Sequence, residues 1–160
     1  MYGLISKNSL DEKIIHVCDT LGYGSNNNAH LLLSETAQQE TRYGEAVDYS
    51  WGVGVGVMQF DPGVNGGFED TKNRTSKSKK DLIKKVYGID IDRTEIDNLR
   101  YSPLLSVIYA RLFYLLRPGA IPTTLQGRAE YWKEHYNSIK GKGTVEEYIK
   151  NNQVSRFKNA

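Results

Sequence analysis

The sequence predicts a mostly α-helical domain, built around one buried central helix, with a small β or extended insert. Three observations predict it. Ser102-Pro103 opens a segment that stays apolar on most faces through Leu116. Capped segments with helical spacing of apolar residues stand on either side of it. Between them, Gly52-Val53-Gly54-Val55-Gly56-Val57 alternates with period two, which reads as strand or as extended, close-packed loop.

Taken in order, Ser9-Leu10-Asp11-Glu12 has the form of a capping box. Leu10, Ile14, Val17 and Leu21 follow at helical spacing, and Gly22 supplies a stop. Gly24 to Asn28 is a loop. A second helix starts near Asn28 and runs through Thr41, with Gly44 as its expected C-terminal cap. Gly63 to Lys80 is rich in Gly, Asn, Ser, Thr and Lys and reads as a polar loop. Lys80 to Tyr87 reads as a short helix ending at Gly88, and Thr94 to Leu99 as another. Ser102 then caps the central helix, with proline at its first position and a stop at Pro118-Gly119. Leu125 to Tyr136 is one more helix. Thr144-Val145-Glu146-Glu147 is a second capping box, opening a terminal helix through about Asn151. Neither repeat nor linker interrupts the pattern, so residues 1–160 are read as one domain.

The 160 residues suffice for a real core, and 39% hydrophobic with 25% charged residues is ordinary for a globule. A formal charge of +2 gives no argument for nucleic acid. The longest apolar run, Leu104 to Leu116, is too short to span a bilayer and carries Arg111. The N-terminus lacks the basic-then-apolar form of a signal peptide. The one cysteine, Cys18, cannot form an internal disulfide and reads as a buried small hydrophobe. His16, His30 and His135 lack metal-ligand spacing, so neither metal nor cofactor is expected. Gly141-Lys142-Gly143-Thr144 lacks the upstream glycine and preceding strand of a phosphate loop. Lys72, Arg74, Lys77, Lys79, Lys80, Lys84 and Lys85 form a basic cluster, diluted by Glu69, Asp70 and Asp81. It reads as a solvated loop before it reads as an anchor for anionic polymer. Eleven tyrosines suit a sugar-binding groove and suit a small core equally well.

The chemistry centres on Glu40. On a wheel at about 100° per residue, Leu33, Thr36, Ala37 and Glu40 share one face. Glu35 lies about 140° away and is expected to face solvent. Burial and the negative end of the helix dipole both disfavour an ionised Glu40. A glutamic acid held protonated near neutral pH can donate to a glycosidic oxygen. Locally, a helix-terminal Glu is more often solvated or paired, here with Arg42. Gly52, Gly54 and Gly56 then open backbone that a polymer could approach, and Gln59 adds an amide that donates and accepts. A tight structural hairpin is the other reading of the glycines.

Gln39-Glu40-Thr41 resembles the Gln-Glu-Ser catalytic motif of lytic transglycosylases of the lysozyme-like superfamily. Gly56-Val57-Met58-Gln59 is similar to their Gly-Leu-Met-Gln motif, at a spacing that agrees to within about one residue. His135-Tyr136-Asn137 resembles their Ala-Tyr-Asn motif. Order and spacing match across about Leu31 to Tyr148. The tail from Tyr131-Trp132-Lys133 to Gly143-Thr144 also looks like a pattern in tailed-bacteriophage proteins. The resemblance implies an α+β lysozyme-like fold and cleavage between N-acetylmuramic acid and N-acetylglucosamine in peptidoglycan. Glu40 would be acid and then base, closing an anhydro ring without metal or second carboxylate. Thr41 would keep a hydroxyl near the sugar, Gly56, Met58 and Gln59 would line the groove, Tyr136 would bond near the acid, and Asn137 would support it. The implied setting is a phage virion or the host cytoplasm, with phage structural proteins as further partners and the cell wall as the place of action.

The chain departs from that pattern at His135, in a Gly44–Trp51 segment one residue longer, and at Asp61-Pro62-Gly63, which enters a loop where the family continues as helix. Asp48, eight residues after Glu40, is a possible second carboxylate for hydrolysis, which by inversion needs a separation of about 6.5–9.5 Å. It reads more readily as a residue that caps or turns the loop. A phage structural protein that kept the fold without the activity is the alternative from another class.

Overall fold

The computed structural model describes residues 1–47, 54–137 and 141–157. Their order is α1 (Lys7–Leu21), α2 (Ala29–Thr41), α3 (Phe68–Arg74), α4 (Lys77–Tyr87), two 3-10 turns (Ile91–Arg93 and Ile96–Arg100), α5 (Pro103–Leu115), α6 (Leu125–Trp132), a π turn (Lys133–Asn137) and α7 (Val145–Asn151). Among the described residues there is no strand. The expected insert is represented there by a single antiparallel bridge, Val55 to Phe60, closing a tight turn.

The central helix is where the sequence places it. The Ser102 hydroxyl accepts the Leu105 N–H at 3.2 Å, Pro103 follows, and every residue from Leu105 to Tyr114 is buried. α1 packs along α5, and α2 packs against both. The main core joins Leu10, Ile14 and Val17 of α1, Leu32, Leu33 and Ala37 of α2, and the apolar side chains of α5. A smaller cluster, Ala129, Trp132 and Tyr148, joins α6 to α7, and Tyr136 packs against both groups.

Four expectations shift. α1 begins a turn early, because Ser6 and Ser9 exchange side-chain and backbone bonds as a capping box one turn before the expected one. The polar stretch 63–80 contains α3 and the start of α4. Phe68 is the reason: it is fully buried and stacks on Tyr109 at 4.5 Å, drawing a hydrophilic segment onto the core. In Thr94–Leu99 the helix is reduced to a short 3-10 turn, Ile96–Arg100, that starts after Glu95. The helix from Leu125 gives way at Trp132 to the π turn.

α2 ends at left-handed Arg42 (φ 48°), two residues before the expected Gly44. The Tyr43 N–H reaches Ala37 O and the Arg42 N–H reaches Gln38 O, a nested pair of bonds that closes the helix end. Tyr43 is left-handed too (φ 59°), a conformation costly for a bulky residue. Its fully buried ring donates its hydroxyl to Asp11 and lies under the Arg156 guanidinium, which holds it there.

Candidate active site

Glu40 sits in the last turn of α2, half-buried. The indole Nε1–H of Trp132, at the end of α6, donates to its Oε1 at 3.0 Å. Burial raises the Glu40 pKa from 4.5 to about 7, and the indole bond pulls it partly back. Part of the residue's surface is open, but protein atoms crowd the carboxyl, and that crowding sets the pKa. Near neutral pH the acid is therefore close to half protonated. Because Oε1 accepts from Trp132, a proton on the neutral acid belongs on Oε2, the oxygen free to donate. After donation the same indole N–H stabilises the carboxylate.

Tyr136 lies close enough to Glu40 for the carboxylate to help hold its phenol un-ionised, after burial itself. Its hydroxyl donates to the Met58 carbonyl at 2.7 Å. Its ring stacks on Tyr114 at 5.3 Å and meets Phe113 and Phe60 edge-on. The last turn of α2, the 55–60 turn and the π turn thus come together near Glu40. π turns recur at functional sites because the extra residue redirects side chains.

The finer roles change. Thr41 is buried. Its hydroxyl lies 2.7 Å from Val57 O and 3.2 Å from Ala37 O and accepts the Gly44 N–H at 2.9 Å. It straps the 55–60 turn to α2 instead of presenting a hydroxyl to a sugar. Met58 is fully buried, so its backbone carbonyl, not its side chain, belongs to the site. Gly56 (φ 78°) faces inward: a Cβ there would collide with Leu99 O and stand 2.7 Å from Ser106 Oγ. A Cβ on Gly54 would strike the Gln59 backbone. Close packing, not polymer access, requires these two glycines. Gln59 (φ 46°) gives its amide protons to Tyr2 Oη at 3.1 Å and Gly56 O at 3.0 Å. Asn137 accepts from Lys133 Nζ at 2.8 Å, and the same ammonium holds Gly141 O and Gly143 O. Asn137 thus shapes the turn after Tyr136. His135 packs edge-on against Tyr131 at 4.5 Å and sits 3.8 Å from Glu134. Asp48 and Gly52 lie outside the described residues.

Glu35 overturns the wheel. It is buried, and Arg128 donates to both its oxygens at 2.8 and 2.9 Å, with Tyr148 Oη a third donor at 2.9 Å. A wheel compares faces against one core, whereas α6 and α7 cover a second face of α2. Sequence reasoning also missed Trp132, quoted only as part of the tail pattern. A tryptophan needing a partner for its N–H was a usable signal, but the partner stands 92 residues away. Compared with protein-family models, curated proteins and solved structures, the chain matches none.

Proposed function

We propose that this protein cleaves the β-1,4 bond between N-acetylmuramic acid and N-acetylglucosamine in peptidoglycan, as a lytic transglycosylase of lysozyme-like type. The reading rests above all on Glu40, a half-buried carboxyl with a pKa near 7 and, among the described residues, one fixed donor on one oxygen. Such a group can give and then take one proton at the same pH. The meeting of the three motif segments around it adds support. Glu40 passes its Oε2 proton to the glycosidic oxygen as the bond from muramic C1 breaks. Its carboxylate then accepts the proton of the muramic C6 hydroxyl while O6 bonds to C1, closing the anhydro ring and restoring the acid. The proposed setting is bacteriophage, with delivery from the virion or the host cytoplasm to the cell wall.

Incubation with purified sacculi tests this. Wild type releases soluble muropeptides with anhydro ends, and Glu40→Gln releases none. Reducing ends would instead mean hydrolysis, with Asp48 the first carboxylate to test. A folded Glu40→Gln variant that still clears cell wall would sink the catalytic role. The burial of Thr41 and Met58, which removes two side chains from the expected groove, favours a second reading: a phage structural protein without activity. Absence of muropeptides across a broad pH range would select it.

A further inference from the structure

A small cavity of about 110 Å3 lies between α5, α6, the α1–α2 loop and the chain around Ile121. It has room for about three or four water molecules. Arg111, Arg117 and Tyr131 line it, and each is a donor with unspent capacity.

Arg111 is 2% exposed. Its Nε donates to Gly22 O at 2.9 Å, and among the described residues no carboxylate pairs with it. A guanidinium does not shed its charge in a protein, so this is a buried cation. The acidic groups nearest it do not balance it: burial pushes the Cys18 thiol up to about 12 and raises the Tyr131 phenol, so both stay neutral. Arg117 stacks on Phe113 at 4.0 Å and donates Nε to Phe113 O at 3.3 Å. One of its terminal nitrogens is buried without a hydrogen-bond partner. That nitrogen, Nη2, is the one that stands 3.9 Å from Asp70, too far for a hydrogen bond, and Arg74 takes the same Asp70 oxygen at 3.2 Å. Tyr131 is 7% exposed, and its hydroxyl is buried with no partner among the described residues. The further carboxylate on this side, Glu134, is exposed and faces His135.

Buried charges and donors are normally matched, and leaving them unmatched costs more than most single interactions repay. Here a buried guanidinium with no carboxylate partner among the described residues, a second guanidinium that shares its one nearby carboxylate with Arg74, and a phenol hydroxyl without a partner among the described residues line one cavity. Planar guanidinium groups match the oxygens of phosphate and carboxylate. We propose that this cavity is a binding site for a small oxyanion, held by Arg111, Arg117 and Tyr131. The site is independent of the reaction proposed for Glu40.

Calorimetry and thermal unfolding of the full chain, with inorganic phosphate or acetate titrated at constant ionic strength, test it. Saturable binding is expected with at least one of the two ions, with a matching rise in Tm. Tyr131→Phe keeps the ring and removes only the hydroxyl, so it should fold as wild type and bind about tenfold more weakly. Arg117→Gln should lose at least as much. Arg111→Met is the stronger test, and if it fails to fold, Tyr131→Phe still decides. Equal stabilisation by chloride, or undiminished binding in both Tyr131→Phe and Arg117→Gln, overturns the proposal. The first would mean a general salt effect, the second binding on the lysines of α4. Absence of saturable binding means the cavity holds only water and overturns it too.

Discussion

At the scale of single residues, Glu40 couples chemistry to stability. Its folded pKa lies above its unfolded value, so the folded chain holds the proton more tightly between about pH 4.5 and pH 7. Below that window both states are protonated and Glu40 costs nothing. As pH rises through it, folding must carry a desolvated carboxylate, and the cost grows toward about 3 kcal/mol at most. Glu40→Gln should therefore stabilise the protein at pH 8.5 by about 1–3 kcal/mol and leave it unchanged near pH 4. Urea denaturation at the two pH values checks this, and a pH-independent difference would contradict the raised pKa. Trp132→Phe acts in the opposite sense on the acid. It removes the indole bond that favours the carboxylate, so the Glu40 pKa should rise further. The expected signature is a basic shift in the pH profile of cell-wall cleavage, together with a loss of about tenfold at neutral pH. A drop in activity with an unmoved profile would mean that Trp132 only packs. The partial burial of Glu40 was legible in the sequence because helix periodicity reports which residues share a face. Trp132 and Arg128 were not, because periodicity carries no information about which distant side chain covers that face.

At the scale of elements, the site is held by unusual backbone. Arg42, Tyr43 and Gln59 are all left-handed without being glycine, and they bracket the acid and the 55–60 turn. The Thr41 hydroxyl joins these two pieces. Thr41→Val keeps the shape and removes the hydroxyl, leaving the Gly44 N–H and the Val57 carbonyl without this partner. A loss of about 1–3 kcal/mol is expected, with most of it recovered in Thr41→Ser. Chemical denaturation of the two variants distinguishes this strap from a sugar-binding hydroxyl, whose removal would lower activity and spare stability. Capping serine, threonine and proline marked α5 and α7 well, since those signals are local. The polar stretch that folds as α3 was hidden because one buried aromatic, Phe68, decides it, and composition averages such a residue away. The glycine alternation left an open surface and a tight hairpin as equal readings, and the structure has the tight turn. Period two describes the backbone but not what lies against it, and Leu99 and Ser106 of distant segments occupy that side at Gly56.

At the scale of the whole molecule, two long-range pairs set α2 against α6. Glu35 meets Arg128 across 93 residues and Glu40 meets Trp132 across 92, so the two helices are registered at adjacent turns. The first pair is a buried ion pair that also takes the Tyr148 hydroxyl from α7, tying three helices together. Its value lies in the penalty for breaking it. Glu35→Gln strands a buried guanidinium, Arg128→Met strands a buried carboxylate, and each should cost about 3–5 kcal/mol. Replacing both, as Glu35→Leu with Arg128→Met, removes both charges and leaves chiefly the Tyr148 hydroxyl unpaired, for about 1–3 kcal/mol. The double variant should thus be more stable than either single one in equilibrium urea unfolding. If the costs simply add, the pair is not coupled and the register must come from apolar packing. The cycle bears on function as well. If the ion pair sets the register, Arg128→Met should weaken the Trp132 bond to Glu40, and the pH profile of cleavage should move as it does in Trp132→Phe. If the cluster of Ala129, Trp132 and Tyr148 suffices, the profile should stay in place while stability falls.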